Sequence, residues 1–286
     1  MEWLSKKGVA LIAAASFIVG GAVSGVATHH IDKAKSACRM ATEVSLNEQK
    51  VMGLLWMQTS AEYRALCYQA YGSASRSIDD AIEKRKTAKD GKPLAIVTDC
   101  DEAVLDNTPE LAHHLWKENP RYGEVWAKWC DMARAEAMPG ARDFLKSVEA
   151  RGVEVFYVTN RGESTRDGTL ANLKRLGFPN ADDRHLLLRG ETGDKSERFE
   201  RVARDYDVIL YMGDNAGDWA LHTFGKNIKN RNAIIDDAAQ DFGTKYIALP
   251  NPVYGAWDGA LTDFKGGSPR EVLERRRALV NVWDER

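Results

Sequence analysis

The sequence predicts an α/β fold: a parallel β-sheet flanked by helices, with a small helical cap and an N-terminal helical extension. Three observations carry that prediction. Short apolar runs rich in β-branched residues recur at Leu94–Thr98, Val153–Val158, Val208–Met212 and Ala233–Ile235, the pattern of strands buried on both faces. Helix-like stretches separate them near residues 140–151, 163–176 and 195–206, and strands alternating with helices give a parallel sheet in a βαβ layout. No internal repeat, low-complexity tract or Pro/Gly/Ser linker divides the chain beyond its N-terminal segment, so the strands are expected to share one core.

Residues 1–27 set the compartment. Lys6 and Lys7 precede an uncharged run from Gly8 to Thr28 that ends in Ser24-Gly-Val-Ala27, a positive region followed by an apolar one with small residues where a signal peptidase cuts. Export with cleavage near Ala27 is the expectation, to the periplasm or the cell surface. An uncleaved anchor is the alternative, because about 20 apolar residues can span a bilayer, and the segment would then attach the chain to a membrane. Lipidation is disfavoured, because charged Asp32, Lys33 and Lys35 separate Cys38 from the apolar run.

Residues 28–92 read as a linker and a helical extension. Ser45-Leu-Asn-Glu48 forms a plausible capping box, and Val51, Leu54, Leu55, Ala61, Ala65 and Leu66 recur at helix-like spacing. After Asp90-Gly-Lys-Pro93 the period changes to that of strands, and 93–286 reads as the catalytic core. Within it, the polar and Trp-rich segment at about 108–138 is too long for an ordinary βα loop and is expected to be a helical cap.

The 286 residues carry 40 Lys plus Arg against 42 Asp plus Glu, a net charge of −2, with no basic stripe. That balance argues against a nucleic-acid polymer as partner. Cys38, Cys67, Cys100 and Cys130 show neither a CxxC nor a zinc-like spacing, and are expected to be free buried thiols. Pairing into a homodimer is left open.

In open parallel sheets ligands sit beyond the carboxyl ends of the strands. The first run ends in Asp99-Cys-Asp101, the second in Thr159-Asn-Arg161 and the third in Gly213-Asp-Asn-Ala-Gly-Asp218, while Lys195 opens a helix. Crowded carboxylates repel one another unless a cation lies between them, and a donor set of hard oxygens points to Mg²⁺ rather than Zn²⁺. With that charge neutralised, a carboxylate can attack phosphorus while Thr and Lys hold the transferring oxygens. The pattern therefore predicts phosphoryl transfer.

The four elements Asp99-x-Asp101, Thr159, Lys195 and Asp214-x-x-x-Asp218 resemble the motifs of the haloacid dehalogenase-like phosphohydrolases, which have a Rossmann-like core. Longer stretches, Leu55 to Tyr71, Asp99 to Asn107, Val158 to Arg161 and Asn251-Pro-Val-Tyr-Gly-Ala-Trp257, look like the bacterial class C acid phosphatases, typified by lipoprotein e nucleotidases. The likeness runs from about residue 45 to 283. It implies that Asp99 is the nucleophile and Asp101 the general acid and base. It implies that Mg²⁺ is held by Asp99, the backbone carbonyl of Asp101 and Asp214, with Asp218 close by. Thr159, Asn160 and Lys195 would bind the phosphoryl group of a small phosphate ester, and Trp126, Tyr254 and Trp257 would grip a nucleoside base. Ala103 stands where family members carry Thr or Val, and Cys100 where they carry an aliphatic residue, which leaves a catalytically weakened binding or storage protein as the alternative.

A receiver-type phosphorylation switch also clusters Asp, Thr and Lys at strand ends, but export and the long insertion oppose it. A nicotinamide-dependent oxidoreductase lacks any GxGxxG after the first strand. His113-His114 is expected to be exposed helix polarity, and Arg270–Arg277 an amphipathic helix whose Arg residues are solvated or paired with its Glu residues.

Overall fold

A computed structural model describes residues 46–87, 91–115 and 122–283. The elements in chain order are α1 (Val51–Thr59), α2 (Ala61–Thr87), β1 (Leu94–Thr98), β2 (Leu105–Asp106), α3 (Thr108–His113), α4 (Tyr122–Met132), β3 (Glu136–Ala137), α5 (Ala141–Ala150), β4 (Glu154–Gly162), α6 (Arg166–Arg175), β5 (Leu186–Arg189), α7 (Ser196–Asp205), β6 (Asp207–Gly213), α8 (Ile228–Asp237), β7 (Tyr246–Ala248), α9 (Ala256–Ala260) and α10 (Pro269–Ala278). Five strands form a sheet in the order β5-β4-β1-β6-β7, and every pairing in it is parallel. A separate two-stranded antiparallel sheet joins β2 to β3.

Alternation along β1 divides the core. Ile96 faces one layer with Tyr157, Met212, the α5 residues Phe144, Leu145 and Val148, and the α2 residues Cys67, Tyr71, Ala74 and Ile78. Ala95 and Val97 face the other with Phe156, Tyr211, Trp219 and the α7 residues Phe199 and Val202. Each large side chain buried in this way stabilises the fold by about 1.5–3 kcal/mol, so both faces of the central strands are held and their carboxyl ends are fixed.

Three expectations need correction. Ala233–Ile235 is not a strand but lies within α8, whose cap Asn227 accepts a hydrogen bond from the Asn230 amide at 2.9 Å; two adjacent Ile residues imitated a strand core. β5 and β7 complete the sheet instead. The buried face of the N-terminal extension also differs. Leu54 is buried, but Leu55, Ala61, Ala65 and Leu66 are exposed, and Tyr63, Cys67, Ala70, Tyr71, Ala74 and Ile78 form the stripe. The cause is a break at Ser60, which is extended with ψ 143° and caps α2 through its hydroxyl, 3.1 Å from the Tyr63 amide. Restarting the helix resets its phase.

The third correction concerns the histidines. His113 is exposed, but His114 is half-buried, with Nε2 2.6 Å from the buried Glu110 carboxylate. In α10, Arg270 pairs with Glu274 at 2.9 Å, whereas Arg276 reaches Asp258 at 2.6 Å and so ties the helix to the core. Cys67, Cys100 and Cys130 are free and buried. Cys38, the Ser45 cap and the apolar segment 1–27 lie outside the described residues, among which no helix is long and apolar enough to cross a membrane.

Candidate active site

β1, β4 and β6 end side by side, and each delivers a polar side chain just past its last apolar residue. Asp99 follows β1, and its amide still donates to the Met212 carbonyl at 2.9 Å, so the strand pairing itself sets its height. Its carboxylate Oδ1 accepts from the Cys100 amide at 2.7 Å. Asp214 follows β6. Asp218 returns on a short turn in which its carboxylate accepts from the Asn215 amide at 2.8 Å. Gly213 is required there, because a Cβ at that position would lie 2.3 Å from Asp218 Oδ2.

Carboxylate oxygens of Asp99, Asp214 and Asp218 all lie within 4.8 Å of one another. Lys195, the residue that caps α7, is 3% exposed and inserts its ammonium between two of them, 2.9 Å from Asp99 and 2.7 Å from Asp218. Burial alone would lower the lysine's pKa, but Asp218 and Asp99 raise it overall, so it is held charged. One ammonium does not neutralise three acids. Burial raises Asp99 to about 7; Lys195 opposes the rise, and Asp218 and Asp101 add to it. Burial, with Asp218 and Asp99, pushes Asp214 well above the usual carboxylate range, although Asn251 Nδ2 donates to it at 2.8 Å. This all-oxygen donor set, with excess negative charge and no sulfur or imidazole, fits a hard divalent cation.

Asp101 points elsewhere. Arg161, 2% exposed, donates to its Oδ1 through Nε at 2.9 Å and Nη2 at 2.8 Å, and Asn107 Nδ2 donates to the same oxygen at 2.8 Å. Oδ2 is left toward Thr159, 3.4 Å away. Burial acts to lower the pKa of the Arg161 guanidinium, and Asp101 raises it overall. Arg161 also stacks over the Trp126 ring at 5.3 Å, which joins the cap to the acid. Asn107 accepts from the Trp129 indole at 2.8 Å, a second link of the same kind. Asn160 lies at the rim, where its Oδ1 accepts from Arg198 at 2.8 Å and its Nδ2 donates to the Gly193 carbonyl at 2.9 Å.

Beside Asp101 opens a cavity of about 360 Å³ whose wall includes Tyr122, Trp126, Tyr254, Asn160 and Arg161. Of the three aromatic residues expected there, Trp126 and Tyr254 line it. Trp257 does not: it is 39% exposed and its indole donates to the Tyr254 carbonyl at 3.0 Å. Tyr122 takes the third aromatic position. Arg161, Asn107, Arg198 and Glu102 were missed as site residues. Arg161 stood in plain view in the strand-end triplet with Thr159, whereas nothing local marks the others.

Glu102 has φ +50°, a left-handed backbone that costs an ordinary residue about 1–3 kcal/mol. It is fully buried, and burial with the neighbouring Asp101 raises its carboxyl to about 8. Next to it, Ala103 is fully buried and its carbonyl accepts from the Tyr71 hydroxyl at 2.6 Å.

A parallel sheet with acids and a threonine at three adjoining strand ends, and a lysine at the start of α7 reaching them, defines a phosphoryl-transfer fold of the haloacid dehalogenase type. The chain belongs to the HAD superfamily, subfamily IIIB, the acid phosphatases, whose family model matches residues 21–257. Its structure is similar to that of the class C acid phosphatase of Bacillus anthracis, with a TM-score of 0.79 and 39% identity over 84% of this chain and 100% of that one. The same enzyme with tungstate bound gives a TM-score of 0.78 at 39% identity, with the same coverage of both chains. Among curated proteins it is 30% identical over 189 residues to acid phosphatase 1 of Solanum lycopersicum, covering 63% of this chain and 66% of that protein. It is 24% identical over 169 residues to vegetative storage protein 1 of Arabidopsis thaliana, covering 55% and 54%. The chain thus spans somewhat less than two thirds of the length of these curated relatives.

Proposed function

We propose that this protein is an exported, Mg²⁺-dependent acid phosphatase that hydrolyses small phosphate monoesters, nucleoside monophosphates among them, through a phosphorylated Asp99. The observation that carries the reading is the buried contact of Lys195 with Asp99, set among Asp214 and Asp218 at the ends of β1 and β6. Asp99 and Asp214, with the backbone carbonyl of Asp101, would hold the cation, and Asp218 would keep Lys195 in place. When bound, Mg²⁺ supplies positive charge that offsets the phosphoryl oxygens.

An Asp99 carboxylate oxygen attacks phosphorus, and the bond from phosphorus to the ester oxygen breaks. That oxygen leaves with a proton from Asp101. Water then attacks the same phosphorus, Asp101 takes its proton, and the bond from Asp99 to phosphorus breaks to release inorganic phosphate. Lys195 and Thr159 bind the transferring oxygens throughout, and Arg161 with Asn107 aims Asp101. The Bacillus anthracis relative binds tungstate, an oxyanion of phosphate-like shape, which supports a phosphate-ester substrate.

Tyr122, Trp126 and Tyr254 give the cavity an aromatic lining suited to a base or another planar leaving group. The positive and apolar pattern of residues 1–27 supports export. The storage alternative has the Arabidopsis relative's name and Ala103 in its favour, and the full set of acid, lysine and threonine groups against it. Phosphate release from AMP, p-nitrophenyl phosphate and glycerol 2-phosphate, measured from pH 5 to 8 with Mg²⁺ and with chelator, tests the reading. Metal-dependent release that Asp99→Asn abolishes supports it; a folded wild type inert on all three esters overturns it.

A further inference from the structure

We propose that Glu102 is the positioning residue of the leaving-group pocket, and that it fixes the ring of Tyr254 relative to the acid that protonates the leaving oxygen. The inference rests on the phosphatase reading and identifies what shapes its specificity. Glu102 is fully buried, and both of its carboxylate oxygens are used. Oε1 accepts from the Asn107 amide at 2.8 Å, and Oε2 accepts from the Tyr254 hydroxyl, which lies 152 residues away in sequence. Asn107 in turn donates to Asp101 at 2.8 Å. Asn107 thus links the two acids, its backbone amide on Glu102 and its side-chain amide on Asp101, and Glu102 in turn holds the Tyr254 hydroxyl.

Tyr254 sits on the loop between β7 and α9, and this loop is tied to the site at two places. Asn251 binds Asp214 at 2.8 Å and accepts from the Val253 amide at 2.9 Å. The Tyr254 hydroxyl on Glu102 is the other tie. The left-handed backbone of Glu102 turns its side chain from the nucleophile loop toward that hydroxyl, at a cost in strain that a surface carboxylate would not need to bear. A ring already held against the cavity wall loses no freedom when a planar leaving group docks on it, which favours such esters over aliphatic ones.

The test uses phosphonates that cannot be hydrolysed. Phenylphosphonate and methylphosphonate are titrated calorimetrically into the Mg²⁺-loaded protein, for wild type, Tyr254→Phe, Glu102→Ala, Glu102→Gln and the double variant Glu102→Ala/Tyr254→Phe. Wild type is expected to prefer phenylphosphonate. Tyr254→Phe, which keeps the ring and loses its tie, weakens phenylphosphonate by about 2- to 12-fold, the cost of ordering one side chain on binding, and methylphosphonate much less. Glu102→Ala does the same, the double variant is no weaker than Glu102→Ala alone, and Glu102→Gln, whose amide can still bridge Asn107 and Tyr254, recovers most of the preference.

Equal weakening of both phosphonates, losses that multiply in the double variant, or a Tyr254→Phe protein indistinguishable from wild type would overturn the proposal. Tyr254→Phe alone decides the matter if Glu102→Ala does not fold. A wild type that hydrolyses esters but binds the two phosphonates equally refutes this inference only. A wild type that binds neither phosphonate overturns this proposal, and one that also hydrolyses no ester removes the phosphatase reading with it.

Discussion

Replacing Lys195 with Met removes the only cation that touches Asp99 among the described residues while keeping the volume of the side chain. At 2.7–2.9 Å and an effective dielectric near 20, each of its two ion pairs is worth roughly 6 kcal/mol of Coulomb attraction. Desolvation of a 3% exposed ammonium offsets most of that. The net cost of breaking a buried pair from one side is about 3–5 kcal/mol. The loss depends on pH in a fixed direction. Asp99 already titrates near 7 rather than at its ordinary 3.8, chiefly because it is buried. An acid raised in this way binds more protons folded than unfolded across that interval, so its contribution to stability falls as pH rises through it. Without Lys195, which opposes that rise, the Asp99 carboxyl rises further. Urea unfolding in chelator should therefore show a deficit against wild type of about 3–5 kcal/mol at pH 7.5, shrinking toward pH 4.5 as Asp99 takes up its proton. Adding Mg²⁺ at pH 7.5 should recover part of it, because a cation bound only by the folded chain stabilises that state. A deficit below about 1 kcal/mol at pH 7.5, or one that does not change with pH, would show that the three acids are not electrostatically coupled through the lysine.

Three other substitutions probe neighbouring links. Arg161→Lys keeps the charge but loses the two-nitrogen grip on Asp101 and the stack on Trp126; kcat for p-nitrophenyl phosphate should fall about 10- to 100-fold, equivalent to about 1.4–2.7 kcal/mol, and an unchanged kcat would exclude Arg161 from aiming the acid. Tyr71→Phe leaves the buried Ala103 carbonyl without its 2.6 Å donor and should cost about 1–3 kcal/mol in urea unfolding. Gly168→Ala would place a Cβ 2.4 Å from the Cys130 carbonyl oxygen, where α6 meets α4; the forced separation should cost about 1–3 kcal/mol, and the shift of the cap helix should raise KM for aromatic esters more than for glycerol 2-phosphate.

The sheet was legible where burial on two faces leaves a local mark. β1, β4 and β6 are the central strands, and their Val and Ile content comes from lying between two layers of helices. β7 has three residues and β5 reads Leu-Leu-Leu-Arg, so the edges lack the β-branched signal that was sought. The pair of Ile residues in α8 supplied that signal falsely. Asp99, Thr159 and Asp214 were legible for a related reason. A buried strand must end in residues that can meet solvent or a ligand, so the first polar side chains after an apolar run are marked by position alone.

What escaped the sequence was the layer that aims those groups. Arg161 acts on a residue 60 positions before it and Glu102 on one 152 positions after it, and no spacing rule reaches so far. Glu102 shows why with particular clarity. In sequence it is one more acid beside Asp101, and composition would assign it to solvent. Burial reverses that assignment, because a carboxylate with no access to water must have partners, and among the described residues the donors that reach it belong to Asn107 and Tyr254. The polar groups at the strand ends can therefore be read from local pattern, but the contacts of Glu102 exist only once the loop after β1 and the loop between β7 and α9 have packed together.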